Sequence, residues 1–124
     1  ELAARVGRDL ATDADIGAAC AELQRDGAQD VIVTRGAQGV MFTGADGMRS
    51  LEAQSSADVV DVTGAGDAFA AAVCWTLYNG EPDLELACRR GQALAAMTIA
   101  CAQTVSPQLM PGLFDSPVQD IVTD

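Results

Sequence analysis

Three stretches of the sequence predict an α/β fold in which one layer of sheet is covered by helices. Ile16, Ala19, Cys20 and Leu23 recur at helical spacing. Asp30-Val-Ile-Val-Thr34 is a short β-branched run, and Thr63-Gly-Ala-Gly66 leads straight into an apolar segment that continues to Tyr78. The 124 residues, 49% of them hydrophobic, suffice for one buried core, which excludes a disordered chain.

Each element has a local reason. Thr12-Asp-Ala-Asp15 sets a capping hydroxyl three residues before an acid, so a helix is expected from about 13 to 26, stopped by Gly27. The run at 30–34 has the composition of a buried parallel strand and ends at Gly36. Residues 39–43 and 48–53 flank Gly44-Ala-Asp-Gly47, which predicts a hairpin at the sheet edge. Asp58-Val-Val60 reads as a further short strand. From Asp67 to Tyr78 the chain is apolar nearly all round, so the helix there should be buried on most faces and end at Asn79-Gly80. Pro82 suits the first turn of a last long helix, on which Leu84, Cys88, Gly91, Leu94, Ala95, Thr98 and Ile99 keep the period to about Ala102. Beyond it Pro107, Pro111 and Pro117 leave room only for a short terminal helix. Without repeats, low-complexity tracts or an internal boundary, residues 1–124 read as one domain.

Charge and missing side chains narrow the chemistry. Eighteen acidic against seven basic residues give a net charge of −11, which repels nucleic acid and anionic membrane surfaces. Every basic residue is an arginine, so no lysine serves a Walker-type phosphate site or a Schiff base. With no histidine, Ser-His-Asp and Cys-His systems and the commonest zinc ligand are excluded, leaving carboxylates and backbone amides. Cys20, Cys74, Cys88 and Cys101 form no C-x-x-C pair and read as buried, reduced thiols, which implies a cytoplasmic setting. The uncharged stretch 91–114 is long enough to span a bilayer, but Gln92, Gln103, Ser106, Pro107, Gln108 and Pro111 interrupt it. No signal peptide is expected ahead of the fold, and the chain opens at Glu1 on helix-like sequence without a methionine. We therefore expect it to be part of a longer polypeptide.

The most informative segment is the strand-to-helix junction Asp61-Val-Thr-Gly-Ala-Gly-Asp67. Two glycines and an alanine leave the backbone uncovered at a helix N-terminus, where unpaired N–H groups and the helix dipole attract an anion such as a transferring phosphoryl group. A carboxylate at the end of such a loop repels the bound anion, and its presence makes sense if it accepts a proton from a hydroxyl attacking phosphorus. The structural alternative is a turn whose aspartate merely occupies a favourable first-turn position.

The wider string Asp61-Val-Thr-Gly-Ala-Gly-Asp-Ala-Phe69 resembles the signature of the ribokinase/PfkB family of carbohydrate and nucleoside kinases. The resemblance implies a ribokinase-like doubly wound sheet covered by helices, of which residues 1–124 are the C-terminal portion of a single domain. It implies Asp67 as the catalytic base, the amides of Gly64, Ala65 and Gly66 as the anion hole, and Asp61 and Thr63 as ligands of a monovalent cation such as potassium. Val33-Thr-Arg-Gly-Ala-Gln-Gly39 is similar to the family's Thr-x-Gly-x-x-Gly segment, which implies that Thr34, Gly36 and Gly39 touch the ATP phosphates. Arg35 would add charge toward the nucleotide, and Gln92 falls where members contact its base; each has a plain alternative as a solvated side chain. Glu1 matches the end of an Asn-x-x-Glu motif that helps order magnesium, with the asparagine outside the sequence. Thr98-Ile-Ala-Cys-Ala-Gln-Thr-Val-Ser-Pro107 is most similar to pseudouridine kinases, with ribose-like sugars and other nucleosides as alternative substrates. The resemblance further implies a small-molecule acceptor and is compatible with a homodimer of the longer protein. A non-catalytic nucleotide-binding module would keep the glycines without needing Asp67, and the chain by itself is expected to be inactive.

Overall fold

A computed structural model of the chain describes residues 1–44, 47–53, 63–80, 83–101 and 109–115. They fall into two compact units, Glu1–Leu51 and Glu52–Asp124.

In the first unit a short helix α1 (Leu2–Val6) ends at Gly7, whose φ of 73° is left-handed. Helix α2 (Asp13–Arg25) follows. Its start carries the expected capping box: Thr12 Oγ1 accepts from the Asp15 amide, and Asp15 reaches back to the Thr12 amide. Strands β1 (Ile32–Thr34), β2 (Val40–Gly44) and β3 (Gly47–Leu51) form an antiparallel sheet in the order β1-β2-β3. The hairpin register pairs Gly44 with Gly47 and Val40 with Leu51, as the glycine-rich turn predicts. Val40, Met41, Phe42 and Thr43 are all buried, so β2 carries apolar residues on both faces. Ile16 and Cys20 of α2 pack on Met41, with Leu10, Val31, Val33 and Met48 around them.

Among the described residues β1 pairs antiparallel with β2 along one edge; a parallel partner expected for 30–34 would take the other edge. A β-branched apolar run demands burial and a partner, and says nothing about that partner's direction. The expected strand at 58–60 and the terminal helix lie outside the described residues.

In the second unit α3 (Ala65–Tyr78) and α4 (Leu84–Ile99) pack side by side. Asp83 caps α4, its Oδ1 accepting from the Leu86 amide at 3.1 Å. Ala72 of α3 and Ala93, Leu94 and Met97 of α4 share a core with Phe114 from the 3₁₀ turn Leu113–Asp115. The Arg90 guanidinium lies over both the Trp75 and Phe114 rings and donates to the Phe114 carbonyl, clasping that turn to the helix pair. Helix α3 begins at Ala65, two residues before the expected start, and is less buried than its composition suggests. Cys74 is exposed, contrary to the expectation of four buried thiols, while Cys20 and Cys88 are buried. Among the described residues no helix is long and apolar enough to cross a membrane, and α4 ends at Ile99, well inside the uncharged stretch.

Candidate active site

The first turn of α3 holds four of the singled-out residues. Gly64 is the N-cap with φ 84° and ψ −2°, a left-handed conformation that a residue with a Cβ resists. The first intrahelical bond described runs from the Ala68 amide to the Gly64 carbonyl at 2.9 Å. The amides of residues 64–67 therefore precede the helical ladder and have no acceptor one turn back inside it. Among the described residues no side-chain hydrogen bond caps this start. Among the described residues a Cβ added at Gly66 would meet nothing within 4 Å. Asp67 is the third residue of the helix and is exposed. Among the described residues no hydrogen bond or ion pair engages its carboxylate.

The start of α2 is the internal control. Asp15 also stands third in its helix, yet its Oδ2 accepts from the amides of Ala11 and Thr12, both at 3.1 Å. Those bonds, and then the Thr12 hydroxyl, hold Asp15 below the usual aspartate range. One acid is consumed by its own helix and the other is left available.

The other predicted residues are placed as follows. Thr34 ends β1 and is exposed; residues Gly36–Gln38 make a 3₁₀ turn, and Gly36 and Gly39 have φ of 56° and 89°. The Arg35 amide donates to the Gly39 carbonyl at 2.8 Å, closing the loop. The Arg35 guanidinium pairs with Asp13 at 3.0 Å and donates to Gln38 Oε1 at 3.2 Å, so its side chain is tied down within the first unit. Glu1 is the exposed N-cap of α1. Among the described residues no three His, Cys, Asp or Glu side chains gather as a metal site. Gln92 Nε2 donates to the Glu52 carbonyl at 2.9 Å. Thr63 is exposed just ahead of Gly64, and Asp61 lies outside the described residues. Thr34, Gly36 and Gly39 belong to one unit and residues 63–67 to the other.

Phe69, two residues beyond Asp67, is buried against Gly91 of α4, a contact that the sequence did not reveal. The only signal for it was a glycine inside a helical period.

The model of the pfkB family carbohydrate kinases matches residues 1–110. The chain belongs to that family. It is 33% identical over 107 residues to the bifunctional protein HldE of Rhodospirillum rubrum, covering 86% of this chain and 21% of that protein. It is 31% identical over 97 residues to the pseudouridine kinase of Escherichia coli K12, covering 77% of this chain and 30% of that enzyme. Phosphofructokinase-2 from Escherichia coli, solved in complex with potassium, superposes with a TM-score of 0.75 at 27% identity over 86% of this chain and 35% of that one. Arabidopsis thaliana ribokinase, solved with ribose and ATP, gives 0.77 at 26% identity over 85% of this chain and 35% of that one. The fold is thus a partial ribokinase-like α/β arrangement of helices and sheet. The chain spans between about a fifth and a third of the length of these relatives.

Proposed function

We propose that the full-length protein transfers the γ-phosphoryl group of ATP to a hydroxyl of a sugar or nucleoside, with Asp67 as general base and the amides of residues 64–67 as the anion hole. The observation that carries this reading is Asp67 itself: it stands exposed at the start of a helix where, among the described residues, nothing engages its carboxylate and no side chain caps the amides. If that aspartate served only its helix, it would be spent as Asp15 is. In the reaction the Asp67 carboxylate takes the proton of the acceptor hydroxyl as that oxygen bonds to the γ-phosphorus. The bond from phosphorus to the β,γ-bridging oxygen breaks, leaving a phosphate ester and ADP. The amides of residues 64–67 and the positive end of the α3 dipole offset the charge on the equatorial oxygens.

The reading assigns Thr34, Gly36 and Gly39 to the ATP phosphates. It gives Arg35 a supporting part instead, since Asp13 and Gln38 hold its guanidinium. Gln92 is assigned to the nucleotide base, and its Nε2 donates to the Glu52 carbonyl. Thr63 is exposed beside the anion hole and offers a hydroxyl oxygen suited to a monovalent cation, with Asp61 as its partner; such an ion would add positive charge near the phosphates. Glu1 stands apart from any cluster of carboxylates among the described residues. The family match crosses the boundary between the two units, which supports residues 1–124 as the C-terminal part of one kinase domain. A pseudouridine-like acceptor is the narrower reading; the likeness to a ribokinase solved with ribose and to an aminoimidazole riboside kinase keeps ribose-like sugars and other nucleosides beside it.

Replacing Asp67 by Asn tests the assignment. Turnover should fall by roughly 10²- to 10⁴-fold, the worth of a positioned base, while ATP affinity stays close to wild type. A variant that keeps most of its turnover removes Asp67 from the chemistry.

A further inference from the structure

We propose that Gly91 is a positioning residue for Asp67, acting through the Phe69 ring. The inference rests on the reading of Asp67 as the base. A Cβ built on Gly91 would lie 2.6 Å from Phe69 Cδ2, 2.7 Å from Cε2 and 3.0 Å from Cγ. Since the crowded atoms include Cγ, at the root of the ring, a small ring rotation does not relieve the clash; the ring must leave or α3 must move. Phe69 has nowhere easy to go, being 7% exposed in the α3 and α4 interface.

Glycine is among the least favourable residues inside a helix, and Gly91 sits in the middle of the 16-residue α4. It is not one of the glycines with positive φ, so the backbone of α4 does not require it. What requires it is the ring. Phe69 and Asp67 are two residues apart on one helix, hence about 200° around its axis, on nearly opposite sides. The ring seated in the notch at Gly91 fixes how α3 is rotated and how close its first turn lies to α4. That rotation sets where the Asp67 carboxylate and the amides of residues 64–67 aim. Phe69 is the first buried residue after the start of α3, and among the described residues no side-chain cap holds that start by other means. Moving the first turn by about 1 Å is enough to cost roughly 100-fold in a reaction that depends on placement.

The test uses the full protein with Gly91→Ala, Phe69→Leu and the double variant. Calorimetry follows ADP alone and ADP with aluminium fluoride, a planar stand-in for the transferring phosphoryl group, in magnesium buffer; binding stoichiometry reports the folded fraction. Gly91→Ala should weaken the aluminium fluoride complex by about tenfold or more and ADP by less than about twofold, at unchanged stoichiometry. Phe69→Leu in the same chain should restore most of the loss, because the smaller side chain accepts the new methyl. Gly91→Ala that binds the analogue as tightly as wild type, or that only lowers stoichiometry, overturns the proposal. If Gly91→Ala does not fold, the double variant decides: folding with near-wild-type analogue affinity supports the steric route, and folding with the weakened affinity overturns it. Failure of the Asp67 reading looks different, since Asp67→Asn would then keep its turnover whatever Gly91 does.

Discussion

At the start of α2, Thr12 and Asp15 satisfy their own helix, each accepting from backbone amides at 3.1 Å. At the start of α3, Gly64 has no side chain to offer and Asp67, at the same helical position as Asp15, reaches back to nothing described. A cap of the first kind is worth about 1 kcal/mol, and the glycines of the second add a further cost. A chain shaped for stability alone would end both helices alike. The difference teaches which of two aspartates with the same local position is available for chemistry: the one whose helix has been left short of hydrogen-bond acceptors.

The comparison breaks most sharply at Gly66. Its Cβ position is open, and alanine is the better helix former by up to about 1 kcal/mol, so Gly66→Ala should leave the melting temperature equal or higher. The added methyl stands beside the amides offered to the anion, and kcat/KM for ATP should fall about tenfold or more. A stable variant with wild-type kinetics would move the phosphate away from residues 64–67. At α2 the opposite pattern is expected. Thr12→Ala should cost about 1 kcal/mol in denaturant unfolding and leave kcat unchanged, since that cap serves only the helix.

Acid sharpens the same contrast. Asp15 is lowered in the folded state by the Ala11 and Thr12 amides, so its contribution to stability is complete above the usual aspartate range. It is lost as the pH falls through the lowered folded value. Asp15→Asn should therefore flatten this part of the acid limb of the stability profile, and an unchanged limb would show that the capping box contributes little. The smallest effect concerns thiols. Burial, and then the Glu85 charge, push Cys88 up to about 12, so in native protein near pH 8 iodoacetamide should modify exposed Cys74 well before Cys88, as peptide mapping would read. Equal labelling of both would mean that α3 and α4 separate readily.

Legibility followed the range of the interaction. The Thr12 and Asp15 box, the Asn79-Gly80 stop and the 44–47 hairpin depend on neighbours in sequence, and the expectations match. Helix α3 starts two residues ahead of the expected position because glycine disguises a first turn. The exposure of Cys74 is hidden in the sequence because a helix apolar on every side does not reveal which face its partner takes. The direction of the β1 partner, the Arg90 stack on Trp75 and Phe114, and the Phe69 seat on Gly91 each join residues that only the fold brings together. The candidate base was legible because its signature is local; what aims it was not.

Amide NMR during an ATP titration tests the central contrast most directly, because it observes both helix starts in one sample. The amides of Gly64, Ala65, Gly66 and Asp67 should shift as nucleotide binds, while those of Thr12 and Asp15, already satisfied by each other and by the helix, should stay in place. Shifts of equal size at both starts, or none at residues 64–67 under saturating ATP, would contradict the account.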